Sequence, residues 1–158
     1  MVSCTNFSVV KLSVSSKSSH VRGIRGAITV SKNSRSEILE KTEILLRKMM
    51  EANRLRREDI ASVLFSVTAD LDAEFPALAA RRLGMIYTPL LCVNEINVPG
   101  SLRKCIRVLF HVNTTRRQRE MKNIYLGKAQ SLRPDLHSKE MGLYYLGNGG
   151  TLLGRKRK

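Results

Sequence analysis

A strictly alternating segment with a central arginine constrains the fold of this chain more than any other feature. Between Cys105 and Val112, one face of a period-two strand is formed by apolar side chains, namely Ile106, Val108, Phe110 and Val112. Arg107 therefore points to the opposite face, away from the core. Residues 99–101 (Pro-Gly-Ser) predict a turn before this strand, which can return Glu95 to the vicinity of Arg107. From these residues alone, a partly buried ion pair is the favoured interpretation.

The elements predicted along the chain indicate an α+β fold. Strand-like patterns occur at residues 21–30, 60–67, 87–94, 105–112 and 123–129. A helix of about five turns is predicted from Ser34 or Ser36, either of which can be its N-cap. A second helix is predicted from Pro76 to Gly84. Two helices cover only one face of a sheet, so we expect a mixed β-sheet with two main helices on one face.

The sheet face that the helices leave uncovered is predicted to carry hydrogen-bond donors. Alternation places Arg25, Arg107 and Tyr125 there, beside the small or apolar Ala27 and Leu109. Such a face is typical neither of a solvated surface nor of an internal core. It favours a site for a multiply charged anion, partly covered by another subunit.

Composition limits the class of protein. A length of 158 residues suits one domain, and a net charge of +15 with a pI near 10.4 favours an anionic partner: nucleic acid, an acidic membrane surface or a small polyanionic metabolite. The three cysteines form neither a CxxC pair nor an even set, so neither a disulfide framework nor a thiolate zinc site is predicted, and a reducing compartment fits best. No apolar run approaches the ~20 residues of a membrane span, so we expect a soluble chain.

The two ends of the chain differ in composition from its middle. Residues 1–20 contain seven serines, two lysines and no acidic residue, which is typical of an organelle transit segment or of a plain disordered extension. Residues 137–158 are rich in glycine and end in Arg-Lys-Arg-Lys, and we expect this basic tail to be disordered. The first interpretation of residues 1–20 predicts the plastid stroma, whereas the second is compatible with the cytoplasm.

Four spaced segments resemble one family. They are RGIRGA at 22–27, DLDAEFPALAAR at 70–81, LLCVNEINVPGSLRKCIRV at 90–108 and IYLGKAQSLRPDL at 124–136. In this order they resemble the monofunctional chorismate mutases of the AroH class, the Bacillus type. The resemblance implies a chorismate mutase domain at residues 21–136 and a homotrimeric pseudo-barrel with sites at subunit interfaces. It also implies an isomerase of phenylalanine and tyrosine biosynthesis (the shikimate pathway) that converts chorismate to prephenate without metal or cofactor.

The resemblance also implies roles for individual residues. Arg25, Arg107 and Tyr125 would hold the carboxylates and the ether oxygen of chorismate. Cys92 and Glu95 would bind its ring hydroxyl. The rearrangement needs no proton transfer and builds negative charge on the ether oxygen, so a fixed cation there is the main catalytic device. Glu95 is accordingly expected to be a hydrogen-bond acceptor and not a general base.

Further substrate-binding positions follow from the same resemblance. Phe75 and Arg81 would come from the neighbouring subunit, whereas Leu132 and Arg133 resemble a segment that closes over the pocket. The last three positions are Ala77, Leu90 and Leu91.

The chain departs from the family pattern at two positions: Leu78 stands where the family often has a lysine, and the chain is one residue shorter after Leu83. The basic run at residues 116–122 and both terminal extensions also lie outside the pattern. The leucine at position 78 weakens the expected electrostatic attraction at the pocket mouth.

A nucleic-acid-binding module is the competing hypothesis, supported by the net charge and the terminal basic cluster. Few aromatic residues for base stacking and no recognisable binding motif make nucleic acid the less favoured partner.

Overall fold

The computed structural model describes residues 18–134, which form one mixed sheet with two α-helices and three short 3-10 segments. The strands are β1 (His20–Thr29), β2 (Ile60–Val67), β3 (Leu90–Asn94), β4 (Cys105–Thr114) and β5 (Ile124–Leu126). The α-helices are α1 (Arg35–Asn53) and α2 (Ala77–Arg82), and the 3-10 segments are Arg57–Asp59, Gln118–Glu120 and Gly127–Leu132.

Strand β4 lies at the centre of the sheet, whose order is β3-β2-β4-β1-β5. It runs antiparallel to both β1 and β2, while the two edge strands β3 and β5 run parallel to their neighbours. The predicted alternation is confirmed: Ile106, Phe110 and Val112 are fully buried, whereas Arg107 lies on the opposite face. The segment that dominates the sequence is therefore the middle of the sheet.

Helix α1 begins where its capping residues predict. The Ser34 hydroxyl accepts a hydrogen bond from the Glu37 N–H (3.4 Å), so Ser34 is the N-cap. The Glu37 carboxylate in turn accepts hydrogen bonds from the backbone N–H groups of Ser31 (2.7 Å) and Lys32 (2.8 Å), which ties the end of the preceding loop to the helix. The helix ends at Asn53, and the C-cap residue Arg54 has a left-handed φ of 52°.

Close contact between α1 and β1 depends on Gly26. A Cβ atom at this position would lie 2.3 Å from the Met49 Sδ and 3.2 Å from the Leu45 Cδ1. Any larger residue at this position would displace the Met49 side chain, so glycine favours the close packing of α1 on the strand. Because successive side chains of a strand alternate, the neighbours Arg25 and Ala27 point to the other face of the sheet.

One face of the sheet forms the main core with the helices, and the other carries a smaller cluster. Leu45, Leu46 and Met49 of α1 and Ala79 and Ala80 of α2 are all buried within the main core. The opposite cluster consists of Ala27, Cys105, Tyr125 and Ala129, with Leu102 and Leu132 packed against it. The prediction of an α+β fold with a mixed sheet and two main helices on one face is confirmed for this chain.

Several predicted boundaries are wrong, and turn geometry explains them. The strand predicted at 87–94 begins only at Leu90, after the exposed Tyr87 and a proline. The strand predicted at 123–129 ends at Leu126, because Gly127 takes a positive φ of 59° and turns the chain into a 3-10 helix. Helix α2 is shorter than predicted at both ends, and Gly84 follows it with a φ of 84°.

The remaining predictions concern the chain ends and the basic run. The basic run at residues 116–122, which lies outside the family pattern, contains a single 3-10 turn, Gln118–Glu120. The predictions for residues 1–20 and 137–158 lie outside the described residues, except that His20 already belongs to β1. Within the described part of the chain, no helix combines the length and apolar character required to span a membrane.

Candidate active site

An ion pair between Arg107 and Glu95 lies at the centre of the candidate site. The Arg107 Nε lies 2.5 Å from the Glu95 Oε1, and the two side chains are 28% and 16% exposed. The Nε N–H is not aligned with that oxygen as a hydrogen bond requires, so the contact is an ion pair without such a bond. The Ser66 hydroxyl donates a hydrogen bond to the same Oε1 at 2.7 Å. The ion pair predicted from the sequence is confirmed.

The backbone brings Glu95 to Arg107 by extending β3 beyond its last residue. The Glu95 N–H donates to the carbonyl of Val67 (2.9 Å), which continues the pairing with β2. The chain then turns back at residues 98–101, where the Ser101 N–H donates to the Val98 carbonyl (3.0 Å) and Gly100 has a φ of 79°. The predicted turn chemistry is thus confirmed.

A second carboxylate fixes the start of β4. Asp70 accepts hydrogen bonds from the Thr68 hydroxyl (2.5 Å), the Lys104 N–H (3.0 and 3.2 Å) and the Arg103 Nε (3.2 Å). Burial raises the pKa of Asp70, but these hydrogen bonds outweigh burial and hold the pKa below its ordinary value. Lys104 has a positive φ of 51°, a strained conformation that these contacts stabilise. Asp70 therefore determines where the strand that carries Arg107 begins.

The sheet brings the three predicted donors together on one face. Ala27 of β1 lies opposite both Arg107 and Tyr125, and Arg25 lies opposite Leu109. These residues line a cavity of about 130 Å³ whose other walls are Gly26, Leu64, Ser66 and Val108. Arg25 is exposed at its edge.

Tyr125 contributes an unpaired donor to this cavity. Its side chain is almost fully buried, and its Oη has no hydrogen-bond partner among residues 18–134. Buried hydroxyls are nearly always paired in folded proteins, so an unpaired one in a cavity is a candidate for binding a ligand oxygen.

A buried cysteine also lies against Arg107. Cys105 is two residues before Arg107 on the same face and is fully buried. Burial raises the pKa of its thiol to about 11, although the charge of Arg107 opposes this effect. The thiol is therefore neutral at physiological pH and serves as packing beneath the guanidinium.

Cys92, Phe75 and Ala77 lie elsewhere in the single chain. Cys92 lies opposite the core residue Phe65 in the pairing of β3 with β2, so it faces the helices and not Arg107. Burial raises the pKa of the Cys92 thiol, and a hydrogen bond with the Ala77 backbone opposes the shift. Phe75 is 71% exposed and shares with Cys92 a separate cavity of about 390 Å³. One chain thus does not bring Cys92 and Glu95 to a common point.

Arg81 is engaged by backbone groups of its own chain. Its Nη1 donates to the carbonyls of Met85, Ile86 (2.6 Å) and Thr88 (3.0 Å), which stabilises the loop between α2 and β3. This is close to the role that basic residues have at helix C-termini, where they satisfy free carbonyls.

The other predicted positions divide between the two faces. Leu90 packs against the main core, while Leu91 is exposed on the Arg107 side of β3. Leu132 packs against the cluster that contains Tyr125. Arg133 is half-buried just after the last 3-10 helix, and its N–H donates to the Gln130 carbonyl (3.2 Å).

Ser66 and Cys105 were not among the predicted site residues. Ser66 lies opposite Arg107 in the pairing of β2 with β4, and this register was the missing information. For Cys105 a signal existed, because alternation already placed it on the Arg107 face.

Comparison with known proteins agrees with this geometry. Residues 21–136 match the family model described as chorismate mutase type I. The chain is 48% identical over 117 residues to the chorismate mutase AroH of Bacillus subtilis. The matched region covers 73% of this chain and 92% of the relative. It is 50% identical over 119 residues to the chorismate mutase AroH of Thermus thermophilus, with 75% and 98% covered.

A solved structure agrees as well. A chorismate mutase from Clostridium thermocellum, 53% identical, superposes with a TM-score of 0.68 over 69% of this chain and 97% of its own. With the fold, the Arg107 site and these relatives in accord, the chain belongs to the type I chorismate mutase family.

Proposed function

We propose that this chain catalyses the Claisen rearrangement of chorismate to prephenate on the sheet face that carries Arg107. The observation that carries the proposal is the Arg107 guanidinium, held by Glu95 near Arg25. It shares the cavity with the Tyr125 hydroxyl, which has no hydrogen-bond partner within residues 18–134. Chorismate offers two carboxylates, an ether oxygen and a ring hydroxyl. Three donors and one carboxylate acceptor match these four groups in number, and the two arginines carry the charge opposite to that of the two carboxylates.

Catalysis follows from where charge develops. As the C–O bond breaks, negative charge grows on the ether oxygen, and a cation already fixed beside it interacts more strongly with the transition state than with the substrate. The Nε side of Arg107 faces Glu95, which leaves the terminal nitrogens for substrate oxygens. Arg25 and Tyr125 would hold the carboxylates, which keeps the enolpyruvyl arm folded over the ring. A C–C bond between the enolpyruvyl arm and the ring forms as the C–O bond breaks, so atoms and electrons balance within the single substrate and no proton enters or leaves.

We also propose that the site is completed in a homotrimer. The Arg107 cavity of about 130 Å³ is small beside the ~300–1,000 Å³ of typical ligand pockets, so one chain supplies only part of the enclosure. Large apolar side chains are exposed around β3 and the loop after it, namely Phe75, Ile86, Tyr87, Leu91, Ile96 and Val98. The concentration of exposed apolar side chains in this region supports a protein–protein interface here. In this arrangement, Phe75 and Cys92 of one subunit approach the Arg107 face of the next.

A direct assay tests the proposed reaction. We expect the purified chain to consume chorismate and form prephenate, and we expect Arg107→Ala to lose nearly all of this activity. Arg119→Ala removes an exposed arginine in the 3-10 turn at Gln118–Glu120 and is the matched control. A chain without chorismate turnover that retains RNA would instead support the nucleic-acid hypothesis, which family membership does not favour.

A further inference from the structure

Ser66 occupies a position from which it can control the Arg107–Glu95 pair. It is the next-to-last residue of β2, directly opposite Arg107 in the antiparallel pairing with β4, and both side chains are on the same face. It also lines the cavity that contains Arg107 and Tyr125. Because β2 pairs with strands on both sides, the Ser66 backbone is held firmly in place.

The two oxygens of Glu95 have different surroundings. Oε1 accepts the Ser66 hydrogen bond at 2.7 Å and also pairs with the Arg107 Nε at 2.5 Å. Oε2 accepts no hydrogen bond from any residue in the range 18–134. One oxygen is thus fully engaged by the protein, and the other is left for a ligand.

We propose that Ser66 is a positioning residue for the rearrangement: its hydroxyl holds Glu95 Oε1 on Arg107, so that Oε2 faces the ring hydroxyl of the substrate. This inference rests on the proposed function. Ser66 touches no reacting atom and acts only through Glu95.

The alternative arrangement of the carboxylate explains why such positioning matters. A carboxylate next to a guanidinium tends to rotate until both oxygens bind in the parallel, bidentate arrangement. That rotation would use Oε2 and also one terminal nitrogen of Arg107. The site would then lose its acceptor for the substrate hydroxyl and a donor for the ether oxygen together. The Ser66 hydroxyl opposes the rotation because it holds Oε1 from the β2 side.

The experiment compares two serine substitutions on the same strand and the same face. Ser66→Ala should lower kcat/KM about 10-fold, as expected for one lost hydrogen bond to a charged group. Ser62→Ala is the matched control: its hydroxyl hydrogen-bonds the His111 Nδ1 (2.8 Å) across the same pair of strands, away from the site. It should stay within about twofold of the unsubstituted chain. Ser66→Cys, which keeps the volume but donates weakly, should lose activity like Ser66→Ala, whereas Ser66→Thr should retain most of it.

Two further measurements separate positioning from a general structural role. In a Glu95→Ala background, Ser66→Ala should cause no additional loss, because its partner is already absent. With a chorismate analogue that lacks the ring hydroxyl, the loss caused by Ser66→Ala should become markedly smaller.

Failure of each proposal has its own signature. Equal activity of Ser66→Ala and Ser62→Ala, or an undiminished loss in the Glu95→Ala background, would overturn the inference while leaving the proposed function intact. Absence of turnover by the unsubstituted chain would overturn both.

Discussion

Arg107 differs from an ordinary surface arginine in what surrounds its guanidinium. Its Nε side faces Glu95, and the neutral thiol of Cys105 packs against it. The side chain is thereby held in one orientation before any ligand arrives, so little reorganisation is needed as charge develops in the transition state. A flexible cation at the same position would have to be ordered in each turnover.

This surrounding leads to a prediction for Arg107→Lys. We expect the variant to lose about 10²–10³ in kcat, because lysine keeps the charge but cannot pair with Glu95 and reach two substrate oxygens at once. The measurement is steady-state chorismate turnover, with Arg119→Lys as the control on an exposed turn. Retention of half of kcat by Arg107→Lys would contradict the proposed role of the planar guanidinium.

Individual site residues were predictable to different degrees. Period-two alternation placed Arg25, Arg107 and Tyr125 on one face, because this pattern survives any choice of strand pairing. The position of Ser66 beside Glu95 required the register of β2 against β4, which no local pattern encodes. The sequence could not predict which sheet face Cys92 occupies for the same reason, since this face depends on how β3 pairs with β2.

At the scale of elements, the site depends on two places in the connection between β3 and β4. The turn at residues 98–101 follows Glu95, and the Asp70 contacts fix the chain at Lys104, immediately before β4. The sequence predicted the first turn from its Pro-Gly pair. It could not predict the second, because a lysine with positive φ has no sequence signature and is stabilised only by a residue 34 positions away.

The Asp70 contacts predict a pH-dependent effect on stability. The folded-state pKa is depressed, so the charged carboxylate stabilises the fold above its ordinary pKa of 3.8, and this contribution is lost as the pH falls through the lower folded-state value. Asp70→Asn should therefore reduce the free energy of unfolding by about 1–3 kcal/mol at pH 7 and by much less once the wild-type carboxyl is protonated. Urea unfolding at pH 7 and at a pH well below 3.8, where the carboxyl group is protonated in the folded chain as well, measures both values.

The control for this prediction lies two residues further along the chain. Asp72 is exposed and accepts a hydrogen bond from the Asn33 Nδ2 (2.6 Å), which the amide oxygen in Asp72→Asn can also accept. This variant should change the free energy of unfolding by less than about 0.5 kcal/mol at either pH. An Asp70→Asn effect that persists unchanged in acid would show that the lost charge is not its cause.

At the scale of the whole molecule, the proposed trimer predicts complementation between two inactive variants. Arg107→Ala removes the cation from the sheet face of its own subunit. In the proposed trimer, Phe75 covers the Arg107 face of the neighbouring subunit, so Phe75→Glu places a carboxylate over that face. Phe75 is largely exposed in the single chain, so the second variant should fold. Arg81 is left unchanged because it stabilises its own loop. Each homotrimer should be nearly inactive.

Mixed trimers should recover activity. In a cyclic trimer built from both variants, one of the three interfaces joins an intact Arg107 face to an intact Phe75. Random co-refolding of equal amounts makes about three quarters of the trimers mixed, so about one quarter of all sites should be intact. Prephenate formation before and after co-refolding gives the recovery, and light scattering confirms the assembly state. No recovery from well-formed mixed trimers would place the whole site within one chain.

The central place of β4 has a consequence for how the site responds to thermal fluctuation. Arg107 belongs to a strand flanked on both sides, so its backbone is released only when the sheet itself comes apart, with a cost near the full free energy of unfolding. Glu95 lies just past the end of an edge strand, where a local opening of β3 releases it at a smaller cost. Amide hydrogen exchange at the two positions should therefore proceed at very different rates. The Arg107 backbone therefore keeps its place for as long as the molecule is folded, whereas the Glu95 backbone can leave the site transiently when β3 opens.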